Sequence, residues 1–388
     1  MKAEKNHAAA LFAAVVLVSF AMRAPMGCVG PLVQEIQKDL GLSAFAAGFL
    51  TTIPLIAFAV MSPIAGKLAQ WKSSYLILTV CLLLSVFGLL FRSYGGRFGL
   101  FAGTVLLGLG IGVLNVLMPA LIRHCFPNRI GFMMGVYSTA MTASSALMSG
   151  SCQGIAARFG GWQVSLAAPL VFALAALVLS GMARQELVVP RQTGAAARTR
   201  LFTAKRVTIA LFMGMQSFLF FSLLTWFPSI LERNGPLPLP SGTVLLLLQV
   251  FSLIPAFSMP ILCQRIRRKG LLTCVCTLCF ALGFFLMLIG TVPALLCGSA
   301  ILGIACGATM SLALTFVATQ GGSAVETARV SAFSQCVGYA LSTVGPSGLG
   351  YLYDVFRSWT PPLLFLIVFS LLMALLGLAA GAEKSQSR

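Results

Sequence analysis

Twelve stretches of this 388-residue chain are long and apolar enough to cross a bilayer, and that recurrence limits the possible folds more than any single motif. They fall near 8–30, 44–66, 74–92, 98–122, 131–155 and 163–183 and, after a polar interval, near 205–229, 241–263, 271–290, 293–318, 328–350 and 361–381. About 20 apolar residues, rising 1.5 Å each in a helix, match the ~30 Å hydrocarbon core. Inside that core only a helix or a closed barrel satisfies its own backbone. The pattern predicts an all-α polytopic membrane protein with twelve transmembrane helices. A composition that is 59% apolar and 9% charged excludes an ordinary soluble domain. Lys2 and Lys5 precede the first run in the manner of a signal peptide. The run is longer than the 7–15 residues of a signal core, so it is read as a span.

The formal charge of +18 would suggest nucleic acid in a soluble chain. Here the basic residues occupy short loops between spans, so topology explains them and no nucleic-acid partner is expected. An even number of spans puts both termini on one side. That side collects Lys67, Lys72, Arg123, Arg129, Arg184, Arg265, Arg267, Arg268, Lys269 and Arg329, together with the basic residues of the tails and of the central interval. Lys38, Arg92, Arg97, Arg158, Arg233 and Arg357 fall on the other side. By the positive-inside rule the richer side is cytoplasmic.

The midpoint carries Arg184, Arg191, Arg198, Arg200, Lys205 and Arg206 against Glu186 alone. It reads as a cytoplasmic linker over 184–204 between an N-terminal six-helix bundle, 1–183, and a C-terminal one, 205–388. Anionic lipid would attract the 184–206 segment at about 1 kcal/mol per basic residue. A weak repeat agrees with this division, since one common shift lays Pro31 on Pro228, Glu35 on Glu232, Pro63 on Pro260 and Ile64 on Ile261. Parallel halves of this kind are the plan of twelve-span secondary transporters, which hold their substrate between the halves near the midplane.

Arg23 sits within the first span, where an unpaired charge costs from ~3 to more than 10 kcal/mol. Val16, Ser19, Gly27 and Gly30, one and two turns away, make a small, partly polar stripe that points it inward. Either it meets a solute in a wet cavity, or it is structural, tied to carbonyls or snorkelling to the surface. All eight acids lie in loops, tails or span ends, so no interior carboxylate is available to relay a proton. The interior polar candidates beside it are Asn115, Tyr137, Gln216, Gln249, Gln335 and Tyr339. Ser331, Gln335, Tyr339 and Ser342 share one helical face, which reads as cavity lining. For the amides, hydrogen bonding between helices is the competing role. Pro25, Pro54, Pro119, Pro255 and Pro346 interrupt spans and are candidate bends for gating. Cys274, Cys276 and Cys279 share a span with no histidine nearby and read as packing residues; no metal, no cofactor and no enzyme chemistry is expected.

Several stretches carry a family resemblance. They are Met22-Arg23-Ala24-Pro25, Leu50-Thr51-Thr52-Ile53-Pro54, Asn115-Val116-Leu117-Met118-Pro119, Trp226-Phe227-Pro228, Ser334-Gln335-Cys336-Val337-Gly338-Tyr339 and Trp359-Thr360-Pro361-Pro362. Through them the chain resembles the major facilitator superfamily, and within it the cyanate and 2-nitroimidazole transporter family of bacteria. The resemblance implies a monomeric inner-membrane carrier with both termini cytoplasmic, moving a small anionic or polar planar solute by alternating access. Departures are also present: Gly66-Lys67-Leu68-Ala69-Gln70-Trp71 lacks the aspartate of the superfamily's loop motif, and Thr104 stands where proton-coupled members have arginine. These count against a proton-driven drug exporter, although an efflux carrier of the same superfamily remains the alternative.

Overall fold

The computed structural model describes residues 2–42, 44–185, 187–188, 202–232, 241–321 and 323–381. Among these, helices account for nearly everything. The first is α1, Lys2–Gly27, followed by the short α2, Val29–Leu40. Then come α3 (Ala44–Trp71), α4 (Ser74–Tyr94), α5 (Gly96–Cys125) and α6 (Ile130–Phe159), with a broken span of α7 (Trp162–Ala167) and α8 (Leu170–Met182). The second set is α9 (Ala204–Glu232), α10 (Ser241–Arg265), α11 (Lys269–Ile289), α12 (Val292–Thr319), α13 (Ala324–Phe356) and α14 (Thr360–Gly381). Most of the expected 184–204 linker lies outside the described residues.

Ten segments among the described residues are apolar and long enough to span. The two remaining expected spans, α6 and α13, are long enough at 30 and 33 residues but more polar. Their position explains the difference. α6 packs on α10 and α12, and α13 on α3 and α5, so both lie in the seam between the first six spans and the second six. Hydroxyls and glycines there meet protein instead of lipid, which removes the demand for apolarity.

The seam is closed at the end where Lys67, Arg123, Arg129, Arg265 and Arg268 gather, called here the basic end. Gly135 on α6 lies so near α10 that an added Cβ would sit 2.5 Å from the Phe257 carbonyl oxygen. The Phe132 and Phe257 rings meet edge-on at 5.9 Å across the same seam.

Helix-interior prolines supply much of the polar contact. A proline has no N–H, so the carbonyl four residues before it loses its donor within the helix. Pro260 frees the Ala256 carbonyl in this way, and Ser138 Oγ of α6 donates to it at 2.6 Å. Pro119 frees the Asn115 carbonyl, and Gln335 Nε2 of α13 donates to it at 3.4 Å. Arg123 Nη1 donates at 2.9 Å to the Ala318 carbonyl in the last turn of α12, where helix carbonyls have no donor of their own.

Arg92 closes the expected 74–92 stretch and is counted with the charges of the outer side. It lies in the last turn of α4, is 1% exposed, and donates from Nη2 to the Pro25 carbonyl at 3.1 Å. The charge count gives no sign of that burial, because the acceptor belongs to the end of α1.

Candidate functional site

α1 ends at Gly27, three residues before the apolar stretch 8–30 closes, and the chain breaks at Cys28 into α2. The stop is held from outside. Arg92 takes the Pro25 carbonyl, Ser149 Oγ of α6 takes the Gly27 carbonyl at 3.1 Å, and Gln153 Nε2 takes the Pro31 carbonyl at 3.1 Å. Gly27 is needed here because a Cβ would fall 2.6 Å from the Ser145 carbonyl oxygen. Asp39 on α2 accepts from Trp162 Nε1 at 2.9 Å, so the outer segment is tied to α7 as well. These contacts fix where Arg23, one turn back from Gly27, directs its side chain.

The half-buried Arg23 crosses the seam. Its Nη2 lies 3.9 Å from Met310 Sδ of α12, and its guanidinium carbon lies 5.6 and 5.8 Å from the ring centroids of Phe220 and Phe221 on α9. Among the described residues no carboxylate pairs with it. A desolvated cation–π contact is worth up to ~2 kcal/mol and a thioether is a weak acceptor, whereas intramembrane charge costs ~3 kcal/mol or more. The guanidinium therefore keeps strong donors that the protein leaves without a matching acceptor.

Two cavities meet at this arginine. The first is lined by Arg23, Asn115, Gln216, Ser217, Phe221 and Tyr339, with Met141, Met213, Phe220, Met310 and Leu314. The second shares Arg23, Met141, Phe220 and Met310 and adds Thr142, Ser145, Leu248, Gln249, Ser252, Cys306 and Gly307.

Of the six polar candidates expected beside Arg23, Asn115, Gln216 and Tyr339 line one cavity with it and Gln249 lines the other. Gln216 Oε1 accepts from Ser217 Oγ at 3.3 Å, and the Tyr339 ring packs edge-on to Phe58 at 4.9 Å. Gln335 and Tyr137 lie behind that lining. Gln335 is 1% exposed, spends its amide nitrogen on the Asn115 carbonyl, and has an Oε1 without a protein partner. Tyr137 is fully buried, its hydroxyl also without a protein partner, within Coulombic reach of Arg23 and Tyr339. Pro25, Pro54, Pro119, Pro255 and Pro346 all lie inside helices. Trp226 donates from Nε1 to the Pro346 carbonyl at 2.7 Å. Sequence reasoning missed Phe220, Phe221, Met141 and Met310, because apolar side chains in an apolar span give no signal of what they face. Phe220 was open to inference, since it falls one turn after Gln216 on the same helix.

The chain matches the Major Facilitator Superfamily over residues 15–346. It belongs to that superfamily. Among curated proteins the transporter is 35% identical over 96% of its length to an uncharacterized transporter, YycB, of Bacillus subtilis, covering 94% of that protein. It is 32% identical to the 2-nitroimidazole transporter of Escherichia coli, covering 96% of each chain. It is 25% identical to the cyanate transport protein CynX of the same organism, covering 88% of this chain and 89% of that one. Among solved structures, a proton:xylose symporter, XylE, superposes with a TM-score of 0.72 over 96% of this chain and 93% of its own. At 14% identity that likeness shows the fold alone. The protein is a multi-pass membrane transporter of small solutes.

Proposed function

We propose that this transporter carries a small anionic or polar planar solute across the bacterial inner membrane by alternating access, with Arg23 as the group that receives it. The observation that carries the reading is the guanidinium in the central cavity, held among the described residues by two phenyl faces and a thioether and by no carboxylate. Guanidinium presents planar, forked donors, which suit a carboxylate, a nitro group or a linear anion such as cyanate. Asn115, Gln216 and Tyr339 supply further hydrogen bonds and a ring face beside it. The relatives named for 2-nitroimidazole and cyanate transport support the same class.

In this reading the basic end is cytoplasmic, both termini lie there, 1–183 and 205–388 are the rocking bundles of a monomer, and the 184–206 linker rests on anionic lipid. Pro25, Pro54, Pro119, Pro255 and Pro346 supply the bends. Moving a monovalent anion inward against a negative interior costs about 2.3 kcal/mol per 100 mV, so uptake needs a concentration gradient, exchange or a co-transported proton. Proteoliposomes should show saturable uptake of such a solute, and Arg23→Ala should abolish it while inserting normally. Unchanged uptake in that variant would remove Arg23 from the site.

A further inference from the structure

The second cavity has a chemistry of its own. It shares Arg23 and Phe220 with the first, but its polar lining is Thr142, Ser145, Gln249 and Ser252, from α6 and α10. Two of these hydroxyls are already committed to their own helices: Thr142 Oγ1 donates to the Ser138 carbonyl at 3.0 Å and Ser252 Oγ to the Gln249 carbonyl at 2.6 Å. Each keeps lone pairs but has no proton left to give. Gln249 is 4% exposed and uses Nε2 on Ser149 Oγ at 3.4 Å, a contact that directs the nitrogen toward α6 and leaves Oε1 as an acceptor. Ser145 Oγ and the second N–H of Gln249 remain as donors, so what sets this lining apart is the group of acceptors around Gln249, its Oε1 with the lone pairs of Thr142 and Ser252.

We infer that the second cavity is a specificity subsite, built around Gln249, that reads a hydrogen-bond-donating substituent on the solute lying across the ring from the group bound by Arg23. This rests on the anion reading of Arg23 and adds to it which planar solutes are preferred. An acidic group on the guanidinium leaves the ring against Phe220, the one aromatic side chain common to both cavities. A hydroxyl or ring N–H on the far edge then enters a space that can accept its proton. A methoxy group there meets the same acceptors with nothing to donate, and buried acceptors discriminate strongly against a substituent that cannot pair with them.

The test measures binding of benzoate, 4-hydroxybenzoate and 4-methoxybenzoate to the purified full-length protein by calorimetry, with wild type and Gln249→Leu side by side. The wild type should bind 4-hydroxybenzoate roughly tenfold more tightly than 4-methoxybenzoate, the order expected for one buried hydrogen bond. In Gln249→Leu that preference should vanish while benzoate affinity stays within about twofold, since the Arg23 contact is untouched. If the leucine variant does not insert, Gln249→Asn, which withdraws the acceptor by one methylene, takes its place and should show the same loss. Equal wild-type affinity for the hydroxy and methoxy acids, or a preference that survives in the variant, overturns the subsite and leaves Arg23 standing. Failure of the wild type to bind any of the three overturns the subsite and the anion reading together.

Discussion

Replacing Ser138 by alanine should loosen the basic end of the seam, and the size of the effect follows from one carbonyl. Ser138 is 1% exposed, and its hydroxyl is the donor to the Ala256 carbonyl, which Pro260 has deprived of an intrahelical partner. Hydrogen bonds between membrane helices average ~0.6 kcal/mol and reach ~1.7. A buried acceptor left with nothing costs ~1–3 kcal/mol. The overlap of these ranges, about 1–1.7 kcal/mol, is roughly a five- to twentyfold shift toward the conformation in which the seam opens and water reaches the carbonyl. The eleven native cysteines preclude thiol labelling, so genetically encoded spin labels at the exposed Asn128 and Arg268, on opposite sides of the seam, are the reporters. Ser138→Ala should raise the longer-distance population by that factor. The decisive arm is the same substitution in a Pro260→Ala background. There the backbone N–H that the proline lacked is restored and can donate to the Ala256 carbonyl, so removing the serine should have little effect. An equal shift in both backgrounds, or none in either, would refute the proline-freed carbonyl as the reason for the contact.

Two further outcomes follow from the same packing. Gly135→Ala places a Cβ against the Phe257 carbonyl, an overpacking of about 1–3 kcal/mol on backbone that cannot rotate aside. The same spin-label pair should therefore report opening, whereas Gly154→Ala, with nothing within 4 Å of its Cβ, should not. Arg92→Ala should lower the melting temperature of the purified protein more than Arg92→Met does, by the equivalent of about 2–4 kcal/mol, because both variants lose the donor to the Pro25 carbonyl but alanine alone leaves a cavity. Methionine fills the space and also removes a buried charge from a site without an acid. Equal tolerance of the two would mean that Arg92 does not pack as described.

Apolarity announced the spans, and it did so well enough to place ten of twelve by the same property that drives them into lipid. The two spans that fall short of that measure, α6 and α13, were visible only as long weakly apolar runs, because their neighbours are protein. Arg23 was legible because a charge in a span is rare enough to demand a reason. Its surroundings were not. Phe220, Phe221 and Met310 look like every other lipid-facing residue until the crossing of α1, α9 and α12 is known. Arg92, at the end of the 74–92 stretch, was legible as a span-end charge but not as a buried one, because the carbonyl it serves belongs to another helix. The prolines were read as bends. Their second effect, releasing carbonyls to the facing half, depends on what lies four residues back and across the seam, which the one-dimensional pattern does not contain.

The strength of these contacts bears on how the solute could control the seam. Three polar bonds crossing at or below the cavity, Ser138 to Ala256, Gln335 to Asn115 and Arg123 to Ala318, end on neutral carbonyls, and a fourth, Gln249 to Ser149, ends on a hydroxyl. Breaking a buried ion pair costs ~3–5 kcal/mol, and several of them would lock one state. Bonds to carbonyls cost ~1 kcal/mol each, and water replaces them when the halves part. Reversing a 99:1 preference takes ~5.5 kcal/mol of differential binding, which is within reach of one anion on a guanidinium with a few added hydrogen bonds. Arg23 is where that differential can arise. It belongs to α1, but Met310, Phe220 and Phe221 belong to the second half, so a solute seated on it touches both halves at once. A seam of weak bonds around one unmatched cation leaves the bound solute as the largest polar interaction between the halves, and therefore the one able to decide which way they rock.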